Sequence, residues 1–267
     1  MALICFITAN YGNYEHTCKK FVKQTIDTDF ICFTDNKNIT NNGWTIDTTP
    51  YHLINKNEID DNTFRNSLCN NKHTFNIAKY YKQSFTQIPI LNKYDVIVWI
   101  DGTIEIIYDK TSEYIMDNIY KEKIIGWHHQ MRNGVLSNEV KDSHFERYTS
   151  TYWNKQSQPY QDVDEQYKCY VNDGYNDDFF KKLNSHTPHM GVWITCFVAF
   201  LHKDNDVKSF LDLWYLQTLK YTTQDQIGFS YVCQKTKIIP NTLPNNKIYG
   251  DYTHMNTMFY KKHNHGY

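Results

Sequence analysis

The residues best placed for chemistry are acids that follow apolar runs. Val96-Ile97-Val98-Trp99-Ile100 is the clearest strand-like run, and it stops at Asp101-Gly102-Thr103. Phe30-Ile31-Cys32-Phe33-Thr34 is a second, stopping at Asp35-Asn36. In an open α/β sheet, ligands gather beyond the carboxyl ends of the strands, where loop amides and helix N-termini converge. An acid after the central strand suits a divalent cation, Mn or Mg, holding a diphosphate, because hard cations take carboxylate oxygens. Thr103 stands where a second acid would complete an Asp-x-Asp pair, so Asp101 is the first expected ligand, with Thr103, His263 or His265 as further candidates. An acid after the second run suits a hydrogen bond to uridine or ribose. Thr8, Ala9 and Tyr11, near the end of the first run, are expected to meet Asp35 there. Asp225 follows the polar turn Thr222-Thr223-Gln224 and starts a helical pattern. Unpaired amides at a helix start favour an ionised acid, and an acid so placed can accept a hydroxyl proton. His129 and Arg132 suit a phosphate or a donor sugar, since a cation stabilises the charge of a departing diphosphate. Plainer readings stay open at this level: loop residues or helix caps for the acids, surface hydrogen bonds for His129 and Arg132.

Positioning these residues requires alternating strands and helices. Residues 3–8, 30–34, 96–100, 124–127 and 191–201 read as strands, so uniformly apolar that both faces must be covered, as in a mostly parallel sheet. Ala78, Lys79 and Lys82 fall at helical spacing after Phe75. Val207, Phe210, Leu211, Trp214 and Leu219 share one helix face, with Asp204 or Asp206 as the expected cap. Residues 139–184 read as a helical insert rich in aromatic residues. The expectation is one α/β domain over 1–267, Rossmann-type, with helices on both faces of the sheet. Residues 1–107 form its first half, and 108–267 a second half that carries the insert.

Several motifs give this pattern a family likeness. In order they are Ile7-Thr8-Ala9-Asn10-Tyr11-Gly12-Asn13-Tyr14-Glu15; Phe33-Thr34-Asp35-Asn36 followed by Trp44; Ala78-Lys79-Tyr80-Tyr81-Lys82; and Val98-Trp99-Ile100-Asp101-Gly102. Then come His129-Gln130-Met131-Arg132 with Glu139; Gln166, Tyr170 and Gly174; and Gln224-Asp225-Gln226-Ile227-Gly228-Phe229-Ser230-Tyr231-Val232. Together they resemble a glycosyltransferase-like family known from plant mucilage and cell-adhesion proteins, with a GT-A-like fold. The chain departs from that pattern at Asn76 and Gln224, where the family carries arginine. The resemblance implies sugar transfer from a nucleoside diphosphate sugar, UDP-sugar favoured, to a glycan or glycoconjugate hydroxyl. It implies donor contacts from Lys79, Lys82, Asp101, Gly102, His129 and Arg132, a base at Asp225 in an inverting attack, and acceptor contacts from Trp193 and Gln226. The alternative is a catalytically inactive nucleotide-sugar or glycan-binding module on the same fold, which Thr103 in place of a second acid would suit.

Composition narrows the partners. The 28 Lys and Arg against 29 Asp and Glu are scattered, not concentrated as on a nucleic-acid face. The seven cysteines include no C-x-x-C pair and read as buried, reduced thiols. No apolar window reaches the length of a membrane span, and the apolar start lacks a basic leader, so a cytoplasmic protein is expected. The richness in Asn, Lys, Ile and Tyr hints at an AT-rich genome such as that of a large DNA virus.

Overall fold

Continuous apolar runs become the strands of one sheet because residues pointing to either face find a hydrophobic cover. The computed structural model describes residues 3–12, 14–54, 74–144, 161–183, 190–243 and 257–264. Its strands are β1 (Ile4–Asn10), β2 (Thr28–Thr34), β3 (Thr45–Asp47), β4 (Val96–Ile100), β5 (Ile104–Ile106), β6 (Ile124–His128), β7 (Trp193–Leu201), β8 (Asn241–Thr242) and β9 (Tyr260–Lys262). Seven of them form the main sheet in the order β3-β2-β1-β4-β7-β6-β8. All run the same way except β7, which is antiparallel to both β4 and β6. A separate antiparallel pair joins β5 to β9.

The helices are α1 (Tyr51–Ile54), α2 (Thr74–Gln83), α3 (Thr111–Glu122), α4 (Leu136–His144), α5 (Val163–Asn172), α6 (Asp178–Leu183), α7 (Asn205–Lys220) and α8 (Asp225–Thr236). Cys5, Ile7, Ile31, Phe33, Ile97, Trp99, Val198 and Phe200 project to one face, under Tyr81 of α2, Phe210 and Trp214 of α7, and Phe229 of α8. Ile4, Phe6, Phe30, Val96, Val98, Phe197 and Ala199 project to the other, under Ile115 and Ile119 of α3 and under Phe259 and Tyr260. The expected fold class is therefore the one observed: α/β, mostly parallel, covered on both faces. Asp204 caps α7, accepting from Asp206 N at 2.9 Å and Val207 N at 3.2 Å. The expected insert contributes α4, α5 and α6, while residues 145–160 and 184–189 lie outside the described set.

The described cysteines are free; all but Cys169 are buried, and Cys69 lies outside the described residues. No described helix is long and apolar enough to cross a membrane.

Candidate active site

Strand direction brings the site together. The carboxyl ends of β1, β4 and β6 and the amino end of β7 lie side by side, since Asp101 N bonds to Cys196 O at 2.9 Å and His128 pairs with Trp193. A cleft opens there, with a volume of about 410 Å³. That falls in the range of small-molecule and cofactor sites. Of the residues expected from the sequence, Ala9, Tyr11, Lys79, Asp101, Gly102, Thr103, His129, Arg132, Asp225 and Gln226 line it.

At its floor two lysines meet two carboxylates. Lys82 Nζ lies 2.6 Å from Asp225 Oδ2 and 3.6 Å from Asp101 Oδ1, and Lys79 Nζ is 2.9 Å from Asp225 Oδ2. Lys79 and Lys82 are three apart on α2, so one helix face delivers both. Lys82 is buried, with its ammonium 5.5 Å from the Trp99 ring and 5.7 Å from the Trp214 ring, a favourable seat for a cation. Thr195 completes the group, accepting from Lys82 at 3.2 Å and donating to Asp225 Oδ1 at 3.2 Å. Burial works against the charge on Asp225, but the Lys79 and Lys82 ammonium groups outweigh it and hold its carboxyl far below the usual value. Burial draws Lys79 below the usual lysine value, with Asp225 opposing and Lys82 adding. Burial also opposes the charge on Lys82, yet Asp225 and Asp101 carry it above the usual value.

Asp225 opens α8, and the turn before it is braced by the insert. Thr222 Oγ1 donates to Gln166 Oε1 at 2.6 Å, Gln161 Nε2 donates to Thr223 Oγ1 at 2.7 Å, and Thr223 N donates to Gln161 Oε1. Trp214 Nε1 ties down the Asp225 carbonyl at 2.8 Å. Gln166 and Tyr170, which form part of the family likeness, thus act as supports. Gln166 donates to the Tyr170 hydroxyl at 2.8 Å, and Tyr170 stacks on Tyr231 at 4.0 Å.

Asp101 is held by Trp99 Nε1 at 2.8 Å, and its side chain is 40% exposed to the cleft. Burial pulls against its charge, but Lys82 and Lys79 keep its carboxyl below the usual value. A Cβ at Gly102 would lie 2.6 Å from Asn10 Oδ1, so any larger residue there requires the Asn10 side chain to move. One side of this acid is open to a ligand. Asp101 Oδ2 has no hydrogen bond among the described residues, and Thr103 Oγ1, in the same cleft wall, is buried without a partner. Among the described residues no group of three or more His, Cys, Asp and Glu could hold a metal, so a cation here would draw most of its ligands from a substrate.

Other expected residues sit elsewhere. Trp193 is wholly buried, 5.3 Å from Phe180 and 6.0 Å from Phe229, and does not line the cleft. As the first residue of β7 it points into the core, and Ile194, Thr195 and Cys196 form that wall instead. Thr8 is buried in β1 and also off the wall. Tyr11 is buried, stacked on Tyr81 at 5.5 Å with the hydroxyls 2.9 Å apart, so one face of its ring is taken. Asp35 meets β1 as expected, accepting from Gly12 N at 3.1 Å, but outside the cleft. His263 Nε2 lies 2.6 Å from Glu105 rather than beside Asp101, and His265 lies outside the described residues. His129 is buried at the wall, its N–H donating to Val192 O at 2.7 Å. Arg132 is committed to Glu139 at 2.6 Å and to Asp142. Gln226 Oε1 accepts from Thr195 N at 3.3 Å. Asn10, Tyr14, Glu15, Thr195 and Lys262 line the cleft without having been expected. Thr195 had a visible signal, a hydroxyl in an apolar strand run.

No protein-family profile and no curated protein sequence matches the chain. Among solved structures it is similar to the bifunctional glycosyltransferase WbbM, at 14% identity and a TM-score of 0.48, covering 91% of this chain and 39% of that one. It is also similar to mouse xyloside xylosyltransferase 1, at 6% identity and a TM-score of 0.45, covering 91% and 84%. A third is core-mannan synthase A of Aspergillus fumigatus in its Mn/GDP form, at 9% identity and a TM-score of 0.39, covering 90% and 70%. This chain spans about two fifths of WbbM.

Proposed function

We propose that the protein transfers a sugar from a nucleoside diphosphate sugar to a hydroxyl of a glycan or glycoconjugate. One observation carries this reading: Lys79, Lys82, Asp101 and Asp225 converge in a roomy cleft at the carboxyl ends of β1 and β4. Such an end of an α/β sheet suits a phosphate-bearing ligand. In the transfer, the acceptor oxygen bonds to the anomeric carbon and the carbon–oxygen bond to the diphosphate breaks. The nucleoside diphosphate leaves with the electron pair, and the hydroxyl proton passes to a base. Lys79, partly exposed, can turn toward the diphosphate while the buried Lys82 stays in place. A cation held by Asp101 and Thr103 would neutralise the leaving diphosphate.

Asp225 is the base in an inverting version of this reaction, under one condition. A carboxylate held by two ammonium groups is a weak base. Its basicity rises only when donor charge draws Lys79 away, so donor binding would arm the base. The inactive binding module is favoured by Thr103 in place of a second acid and by the two ammonium groups that hold Asp225. A thermal-shift screen of nucleoside diphosphate sugars with and without manganese, followed by assay of released nucleoside diphosphate, separates the readings. The transferase binds a donor and slowly releases the diphosphate. A module binds without release, and absence of any binding sinks both readings.

A further inference from the structure

Among the described residues three cations line the cleft above the buried Lys82, and two are committed: Lys79 to Asp225, and Arg132 to Glu139 and Asp142. The third is Lys262, which has no acid partner among the described residues. Five acids line the same cleft, Glu15, Asp101, Glu139, Asp142 and Asp225, so an anionic ligand enters a surface whose other positive charge is already paired.

Lys262 owes its place to β9. Tyr260, two residues back and therefore on the same strand face, is fully buried, stacked on Phe197 at 5.5 Å with its hydroxyl 3.6 Å from Cys196 Sγ. On the far side His263 N donates to Thr103 O at 2.8 Å, and the His263 ring meets Glu105 at 2.6 Å. Lys262 itself pairs with Ile104, next to Thr103 and its buried, unpartnered hydroxyl. The strand thus acts as a strap pinned on both sides of one free ammonium group.

We propose that Lys262 binds the phosphates of the donor, and that β9 serves to hold it at the cleft; this rests on the nucleoside diphosphate reading above. Lys261, exposed and facing away on the same strand, is the internal control.

The test is calorimetric titration of nucleoside, nucleoside monophosphate and nucleoside diphosphate into the wild type, Lys262→Met, Lys262→Arg and Lys261→Met. Loss of one charge-assisted phosphate contact should weaken the diphosphate about tenfold in Lys262→Met. Nucleoside affinity should stay unchanged, Lys262→Arg should recover most of the loss, and Lys261→Met should match the wild type. Diphosphate affinity unchanged in Lys262→Met, or an equal loss for the bare nucleoside, overturns the inference alone. Failure of the wild type to bind any nucleoside diphosphate overturns the donor reading and this inference with it.

Discussion

Lys79, Lys82 and Asp225 share their charges, so a change at one is felt by the other two. Asp225→Asn keeps the size and helix-starting ability of the residue but leaves a buried Lys82 with only the more distant Asp101. Breaking a buried pair in this way should cost about 3–5 kcal/mol, read as a fall in the urea midpoint. If Asp225 is also the base, turnover should drop on the order of a hundredfold or more; unchanged turnover would leave it a counter-ion alone. The pH dependence follows from the direction of each shift. Asp225 is held below its unfolded value of about 3.9, so its contribution to stability is complete above that value and is lost as pH falls through the folded one. Lys79 is shifted down from its usual value of about 10.4. Diphosphate affinity should therefore weaken as pH rises through that lowered value, earlier than for an ordinary lysine. Titration calorimetry from about pH 6 to about pH 10 would show this, and a flat profile would remove Lys79 from the donor contacts.

At the level of elements, the turn between β4 and β5 leaves little room for a side chain at Gly102. Gly102→Ala would push a methyl against the Asn10 side chain. Overpacking of this kind costs about 1–3 kcal/mol, and displacement of Asp101 should weaken donor binding beyond the loss in stability. Trp193 behaves in the opposite way. Trp193→Ala should cost about 3–5 kcal/mol as a core truncation, with acceptor preference unchanged in whatever protein still folds. The contrast shows what could be read from the sequence. Asp101 was legible because an uninterrupted apolar run fixes where its strand ends. Asp225 was legible because a polar turn precedes a helical pattern. The direction of a side chain at the first residue of β7 was not, because an apolar strand buried on both faces has no alternation to reveal its register. Lys262 was hidden for a different reason: its position depends on β9 pairing with β5, more than 150 residues away in sequence, and no local pattern announces such a pairing.

For the whole molecule, a donor that binds only the folded state must raise the melting temperature. At a concentration a hundredfold above Kd it should add about 2.7 kcal/mol. Asp101→Ala should abolish any part of that shift that needs manganese while leaving the ligand-free melt close to the wild type, since the Asp101 side chain is 40% exposed. The reversed strand has a wider meaning. Because β7 runs against its neighbours, the chain leaves the sheet at His128 and rejoins it at Trp193, the residue paired with His128. The stretch between has its two ends held together by the sheet, His129 N donating to Val192 O at 2.7 Å. Lengthening such a closed stretch costs little in closure entropy, provided Gln161 and Gln166 still brace the turn before Asp225. An insertion between α4 and α5 should therefore leave the ligand-free melt close to the wild type, as thermal denaturation would show.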